Sequence, residues 1–170
     1  MRPDLLQSDE RLLRDCRVDL ARGSGPGGQK RNKTSNAVRL THEPTGVVAT
    51  AREDRSLRVN KLRALRRLRL KIAAGLREEL DPLNSAPPAW LGEYVVDGRL
   101  AINPSNPRHA AAGAILLDAL LAGHADPARA AANLGVSLRS FLKLLASDSI
   151  LWNAANALRE RYALATLAKP

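Results

Sequence analysis

The sequence predicts an α+β protein, with a short sheet and one long basic helix in its first half and an all-α second half. Three observations predict this class. Residues 16–51 contain three strand-like segments, residues 56–80 repeat leucine and isoleucine at helical spacing, and the chain after Pro107 is rich in Ala and Leu. Because 170 residues suit one domain or two small ones, we predict a domain over 1–80, a linker over 81–107 and a helical domain over 108–170.

The first half is predicted to start with a short amphipathic helix and to continue as a sheet. The helix spans residues 5–15, with Leu5, Leu12 and Leu13 inward. Residues 16–21 alternate as a strand does, and residues 37–42 and 47–51 form a predicted hairpin. Its connection, residues 43–46, has proline second and glycine fourth, which is typical of a type I turn.

A long helix is predicted from its N-cap, Ser56, to about Leu80. It carries one apolar stripe, formed by Leu62, Leu65, Leu68, Ile72 and Leu76. The rest of its surface is basic, because residues 52–77 contain 10 Lys and Arg against 2 Asp and Glu. Such a surface repels itself unless a polyanion such as RNA relieves the repulsion.

The second half is predicted to be a linker followed by helices. Five prolines interrupt residues 81–107, Trp90 and Tyr94 are expected to pack there, and Asp97-Gly98 is expected to close a small hairpin. Helices are predicted near residues 108–122, 127–134, 138–146 and 149–164, with Trp152, Leu158 and Tyr162 in their core.

Residues 131–144 have the spacing of a helix-turn-helix unit. A small residue, Ala131, would pack at the helix crossing, Gly135 would make the turn and Ser137 would cap the second helix. Such units often read DNA through the second helix, but the basic residues on this helix are only Arg139 and Lys143. A structural bundle and a nucleic-acid reader both stay open.

The charge of the chain lies almost entirely in its first half. Residues 1–80 hold 19 Lys and Arg against 10 Asp and Glu, whereas residues 81–170 hold 8 against 7. A GC-rich genome would also produce an excess of Arg over Lys, but it would not explain why the positive charge lies in the first half. A basic half of this kind indicates phosphate backbones or an anionic membrane surface as a partner.

Several classes of protein are disfavoured by composition. Cys16 is the single cysteine and the three histidines are scattered, so neither a disulfide framework nor a metal site is expected. No segment approaches the roughly 20 apolar residues of a membrane span, and the acidic N-terminus does not look like a signal peptide. We expect a soluble, cytoplasmic protein without metal or cofactor.

The segment Gly23-Ser24-Gly25-Pro26-Gly27-Gly28 has four glycines and a proline in six residues, so it cannot be regular structure. Gln29 follows it. Adjacent glycines allow a backbone to approach another molecule closely. Gln29 adds a neutral amide and a main-chain N–H, a pairing that suits a site where a backbone donor meets a developing oxyanion. A phosphate cradle is the alternative, although the Lys-Ser/Thr ending of a P-loop is missing.

Residues 22–29, Asn32-Lys33-Thr34, residues 37–48, Asp54-Arg55-Ser56 and Asn60-Lys61 together resemble the catalytic domain of class I peptide chain release factors. The resemblance covers residues 16–80 and is nearest to the short stand-alone members that rescue stalled ribosomes, including the mitochondrial rescue factor. It implies hydrolysis of the peptidyl-tRNA ester in the peptidyl-transferase centre, where ribosomal RNA supplies the rest of the active site.

The resemblance also implies a role for individual residues. Gly27 and Gly28 would set the loop geometry, and Gln29 would coordinate the hydrolytic water and be N5-methylated by a glutamine methyltransferase. The expected contacts with ribosomal RNA are Lys30, Arg31, Lys33, Arg55, Arg58, Lys61, Arg63, Arg66 and Arg67. Two positions depart from the family pattern: Lys30-Arg31 stands where His-Val is frequent, and Leu57 replaces a Gln.

About 15 residues precede the matching segment, which is too few for a codon-reading domain, and the C-terminus is not a basic tail. We therefore expect codon-independent release on stalled ribosomes by a protein that is monomeric off the ribosome. Two alternatives stay open. One is a non-catalytic module that binds the ribosome through its RNA, and the other is a helix-turn-helix DNA-binding regulator.

Overall fold

The computed structural model describes residues 4–21, 36–78 and 87–170. These residues form a mixture of helices and small sheets, so the α+β class is confirmed. The chain divides into two compact units, residues 7–72 and residues 73–170 together with 1–6. The division into domains 1–80 and 108–170 with a linker between them stays a prediction.

In the unit 7–72, a short helix leads into a three-stranded antiparallel sheet. Helix α1 is Asp9–Arg14, and the strands are β1, Cys16–Ala21, β2, Ala37–His42, and β3, Val48–Ala51, in the order β1-β2-β3. The prediction that α1 begins at residue 5 is wrong, because the hydroxyl of Ser8 accepts from the Arg11 N–H at 3.3 Å and caps the helix there.

The sheet buries one face of its central strand. Val38 pairs with Ala51 and Leu40 with Ala49, and all four side chains are buried. Because successive residues of a strand point to opposite faces, this pattern assigns the core to one side of β2 and β3. The hairpin is confirmed, but its loop closes on His42 rather than Glu43: the Gly46 N–H donates to the His42 carbonyl at 2.8 Å, with Gly46 at φ +68°.

Helix α2, Leu57–Gly75, lies beside β3. The side chains of Arg67 and Lys71 donate to the carbonyls of Thr50 and Val48, both at 2.8 Å. Ser56 is the N-cap as predicted, since its hydroxyl accepts from the Val59 N–H at 3.4 Å. The buried face of α2 differs from the predicted stripe. It is formed by Asn60, Ala64, Leu65, Leu68, Leu70, Ile72 and Ala73, while Leu62 is 51% exposed and Leu76 is half-buried.

Helix α2 also ends at Gly75 and not at Leu80. Glycine is a poor residue for continuing a helix. Beyond it, the Glu78 N–H and the Arg77 guanidinium bind the carboxylate of Asp118 at 3.2 and 2.9 Å, which holds these residues away from helical geometry.

The unit 73–170 is built around one buried helix. It contains the short helix α3, Ala89–Gly92, the hairpin of β4, Val95–Val96, and β5, Arg99–Leu100, and then α4, His109–Ala122, α5, Pro127–Asn133, α6, Leu138–Ala146, and α7, Ser149–Arg161. Helix α4 contacts α5, α6 and α7 and is buried from His109 to Leu120 except at Ile115. The small hairpin is confirmed, with Asp97 and Gly98 both at positive φ.

The last helix was predicted to reach residue 164, and it ends at Arg161. The cause is a backbone turn: Ala163 takes φ +51°, and the Leu164 N–H donates to the Arg159 carbonyl at 3.0 Å. This bond, with that from the Ala163 N–H to the Glu160 carbonyl, is the motif that terminates helices at a left-handed residue. Tyr162 therefore lies beyond the helix and is 40% exposed, so its predicted place in the core is wrong, whereas Trp152 and Leu158 are buried.

Candidate functional site

The first two strands hold both ends of the glycine-rich segment. Ala21, the last residue of β1, pairs with Ala37, the first residue of β2, so the chain leaves and re-enters the sheet at the same end of this ladder. The predicted catalytic residues Gly27, Gly28 and Gln29 lie outside the described residues, as do the predicted RNA contacts Lys30, Arg31 and Lys33. The structure thus describes the frame from which this segment departs.

Asn60 ties the returning end of the segment to helix α2. Its side chain is fully buried. The Nδ2 group donates to the carbonyls of Asn36 at 2.7 Å and Asp54 at 2.8 Å, and Oδ1 accepts from the Asp54 N–H at 3.0 Å. A second link comes from Asn36, whose Nδ2 donates to the Asp54 carbonyl at 3.2 Å. We call these three residues the Asn36–Asp54–Asn60 network.

The carboxylate of Asp54 extends this network to the start of α2. Its Oδ1 accepts from the Ser56 N–H at 3.0 Å, and its Oδ2 lies 3.4 Å from the Arg63 guanidinium. A carboxylate near the first turn is favourable because the helix dipole is positive there. Asn36, Asp54 and the start of α2 at Ser56 are therefore held by one set of hydrogen bonds.

A row of cations lies on the exposed side of this region. Arg58, Lys61 and Arg66 on α2 are exposed, as is Arg55 just before the helix. Within the ranges 4–21, 36–78 and 87–170, none of these four side chains forms a hydrogen bond or an ion pair. We call Arg55, Arg58, Lys61 and Arg66 the basic face. Unpaired cations one helical turn apart repel each other, and a phosphate backbone would relieve this repulsion.

Two other predicted RNA contacts are paired within the protein. Arg67 binds Glu53 at 2.7 Å and the Thr50 carbonyl at 2.8 Å, and its hydrogen bond lowers the pKa of the Glu53 carboxyl. Arg63 lies beside Asp54. Both arginines keep 40–45% of their side chains exposed, and exposed ion pairs are weak. By contrast, the side chains of the basic face have no partner among the described residues that a phosphate would displace.

The described ranges hold neither a metal-binding cluster nor a membrane span. Residues 4–21, 36–78 and 87–170 contain no group of three or more His, Cys, Asp or Glu side chains that could hold a metal ion. No helix in the same ranges is long and apolar enough to cross a bilayer.

Comparison with protein families matches residues 12–86 to the RF-1 domain. Over 81 residues the chain is 46% identical to peptide chain release factor 2 of Saccharopolyspora erythraea, which covers 45% of this chain and 22% of that protein. It is 49% identical over 67 residues to peptide chain release factor 1 of Streptomyces avermitilis, covering 39% and 19%, and 52% identical over 65 residues to release factor 2 of Rhodococcus erythropolis, covering 38% and 18%. We refer to the matched range, residues 12–86, as the RF-1 domain.

The chain spans about a fifth of the length of the curated relatives it matches. The RF-1 domain contains α1 from Leu12 onward, the three-stranded sheet, the glycine-rich segment and helix α2. The Asn36–Asp54–Asn60 network and the basic face therefore both lie inside this domain. Leu57, which departs from the family pattern, is the first residue of α2 and is 40% exposed.

Asn60 is among the residues that carry the family resemblance, but no role was expected for it. A signal was present, because Asn60 lies four residues before Ala64 and eight before Leu68, at the spacing of the buried face of α2. An amide side chain on such a buried face needs hydrogen-bond partners inside the protein. No structural role was expected for Lys71 and Arg69 either. Lys71 binds the Val48 carbonyl, and Arg69 binds Asp9 at 2.9 Å and the Gln7 carbonyl at 2.7 Å.

Outside the RF-1 domain, the predicted helix-turn-helix spacing corresponds to α5 and α6. Ala131, Phe141 and Leu144 are buried, Gly135 turns the chain at φ +66°, and the hydroxyl of Ser137 accepts from the Ser140 N–H. However, the Ser137 N–H donates to the Gly98 carbonyl at 2.7 Å. The hairpin β4–β5 thus touches the end of α6 that would face bases in a DNA-reading unit. This contact favours a structural role for α5 and α6.

Proposed function

We propose that this protein hydrolyses the ester bond of peptidyl-tRNA in the peptidyl-transferase centre of the large ribosomal subunit. The observation that carries the proposal is the RF-1 domain match over residues 12–86, a range that includes the intact Gly27-Gly28-Gln29. The relatives matched over this range are named peptide chain release factors 1 and 2.

The chemistry follows from what such a segment can offer. The paired glycines permit close approach of the backbone to the ester. The main-chain N–H of Gln29 would donate to the oxyanion that forms as water attacks the ester carbonyl, and its side-chain amide would shape the pocket for that water. Ribosomal RNA would supply the remaining groups, so neither a metal nor an organic cofactor has a role.

The finer proposal is that release does not depend on the codon in the A site and serves stalled ribosomes. The RF-1 domain match covers residues 12–86, and the near-neutral residues 87–170 form a hairpin and helices. On this reading the chain is an RF-1 domain, a linker and a helical domain. Its partners are the ribosome, peptidyl-tRNA and a methyltransferase that modifies Gln29, and it is monomeric off the ribosome.

The experiment is single-turnover peptide release from purified ribosomes that carry peptidyl-tRNA in the P site. The complexes differ only in the A site, which holds a sense codon, a stop codon or no mRNA. Wild-type protein should release peptide from all three. Gly28→Ala should react about 100- to 1,000-fold more slowly, because it restricts the backbone that places the Gln29 N–H against the oxyanion. It should sediment with ribosomes as wild type does.

Two results would contradict these assignments separately. Equal rates for Gly28→Ala and wild type would remove the hydrolytic role of the segment. A strong preference for stop codons over sense codons would leave the hydrolysis in place and overturn codon independence.

A second candidate is a non-catalytic module that binds ribosomal RNA. The basic face favours it, because these cations, which have no partner among the described residues, would bind phosphate whether or not the glycine-rich segment reacts. In the same assay such a module would sediment with ribosomes through Arg58, Lys61 and Arg66 and would release no peptide.

A further inference from the structure

We infer that Asn60 is a positioning residue for the Gly27-Gly28-Gln29 segment. It acts through Asn36, the residue at which the chain returns from that segment to the sheet. The inference rests on the proposed hydrolysis and adds a residue that does not touch the substrate.

The first step is that a polar side chain at position 60 carries a cost in folding free energy. It continues the buried face of α2, where Ala64 and Leu68 follow it and where an apolar side chain would gain from burial. An amide at this position avoids a desolvation penalty only if its polar atoms are paired. All three hydrogen bonds that pair them go to backbone groups of Asn36 and Asp54.

The second step is that these bonds join segments that are far apart in the sequence. Asn60 is 24 residues from Asn36 and 6 from Asp54. An apolar residue could fill the same volume, but it could not fix the Asn36 carbonyl relative to Asp54. The side chain thus specifies where the chain re-enters the sheet.

The third step is the short distance along the chain from these anchors to the reacting residues. Asn36 is seven residues after Gln29, and Ala21, paired with Ala37 in the sheet, is six residues before Gly27. Reaction in the peptidyl-transferase centre requires a backbone donor at a defined place. A misplacement of about 1 Å can cost about 100-fold in rate.

The test compares Asn60→Ala and Asn36→Ala with Leu68→Ala. Asn60→Ala removes all three bonds of the amide. Asn36→Ala removes only the bond from the Asn36 side chain, on a half-buried residue, and so disturbs folding less. Leu68→Ala is the control, because it creates a cavity in the same helix two turns further on without touching the network.

Peptide release is measured at several factor concentrations, at a temperature where far-UV circular dichroism shows every variant folded. We expect the maximal rate to fall about 10- to 100-fold for Asn60→Ala and several-fold for Asn36→Ala. The half-saturating concentration should stay within about twofold of wild type, because the basic face is unchanged. Leu68→Ala should keep the wild-type maximal rate.

The outcomes separate this inference from the proposed function. If wild type releases peptide but the folded network variants share its maximal rate, Asn60 has no positioning role and the proposed function stands. If Asn60→Ala does not fold, the maximal rate of Asn36→Ala tests the inference by itself: a several-fold loss supports it, and the wild-type rate overturns it. An equal loss in Leu68→Ala would trace the effect to destabilisation and overturn the inference. If wild type releases nothing, or if Gly28→Ala matches its rate, the proposed function fails and the inference fails with it.

Discussion

At the scale of single residues, His42 shows how burial changes an ionisable group in the RF-1 domain. It ends β2 and is fully buried, and its Nδ1 lies 2.7 Å from the hydroxyl of Thr45. Its Nε2 has no hydrogen-bond partner among the described residues. Burial therefore lowers the pKa of the imidazole, and the nearby Asp15 opposes this shift more weakly. The folded protein therefore favours the neutral imidazole over the protonated one.

This gives a prediction for the pH dependence of stability. Since the pKa of His42 is lower in the folded than in the unfolded chain, the unfolded chain binds more protons as pH falls below about 6.5. The stability contributed by the neutral ring is present above that pH and is lost as pH falls toward the folded pKa. Urea unfolding followed by circular dichroism at pH 7.5 and 5.5 should show a larger loss for wild type than for His42→Gln.

The difference between the two proteins isolates His42 from the carboxylates, which titrate in both. This difference in the free energy of unfolding cannot change by more than about 1.4 kcal/mol per pH unit, because it comes from one titrating group. Equal losses in wild type and His42→Gln would mean that the imidazole is protonated in the folded protein without cost.

At the scale of elements, α4 contains one charge within an otherwise apolar helix. Asp118 is 1% exposed and binds Arg77 at 2.9 Å, while its Oδ1 also accepts from the Glu78 N–H. An exposed pair in the same unit has the same length: Arg108 binds Glu93 at 2.9 Å, with Glu93 65% exposed. The Arg108 guanidinium also lies 5.5 and 5.7 Å from the ring centroids of Trp90 and Tyr94, the predicted packing anchors. The two pairs have the same length and differ in burial.

We therefore predict unequal costs for removing the two carboxylates. Asp118→Ala should lower the free energy of unfolding by about 3–5 kcal/mol, since it takes the carboxylate away from the largely buried Arg77 guanidinium. Glu93→Ala should lower it by about 1 kcal/mol or less. Urea unfolding followed by the fluorescence of Trp90 and Trp152 reports on this unit. Similar costs for both variants would show that burial does not set the strength of the Asp118 pair.

At the scale of the whole molecule, the distribution of charge separates two kinds of surface. Residues 1–80 carry an excess of nine positive charges, and residues 81–170 an excess of one. The basic face belongs to the first group, whereas Arg99, Arg139 and Lys143 are exposed cations of the second. If the ribosome is bound through the RF-1 domain, only the first group should release counterions from ribosomal RNA.

The corresponding prediction concerns the salt dependence of ribosome binding. The slope of log affinity against log salt scales with the number of phosphates neutralised, by roughly 0.7 for each phosphate. The variant Arg58→Gln/Lys61→Gln/Arg66→Gln should reduce the slope by about 2, since its α2 neutralises three fewer phosphates. The matched variant Arg99→Gln/Arg139→Gln/Lys143→Gln should leave it unchanged. A reduction in the matched variant would identify the helical unit as a second nucleic-acid-binding surface.

Features of local origin were predictable from the sequence. The strands of the RF-1 domain follow from alternation, and the two hairpins and the α5–α6 turn follow from Pro44-Thr45-Gly46, Asp97-Gly98 and Gly135. Ser56 and Ser137 mark helix starts because their hydroxyls accept from N–H groups a few residues ahead. Each of these features depends on residues within one or two turns of chain. The Gly27-Gly28-Gln29 motif could be recognised for the same reason, as a short pattern of contiguous residues.

Features that depend on distant partners were decided by the tertiary structure. Leu62 was predicted to be buried and is exposed, whereas Asn60, for which no position was predicted, is buried. Asn60 can be buried because it binds the Asn36 carbonyl, and Asn36 is 24 residues away in the sequence. Helix α2 stops at Gly75 because Asp118, about 40 residues on, holds Arg77 and Glu78. A periodic pattern in the sequence ranks residues by hydrophobicity. A polar group can be buried only where it finds hydrogen-bond partners. Those partners often come from distant segments of the sequence that only the folded chain brings together.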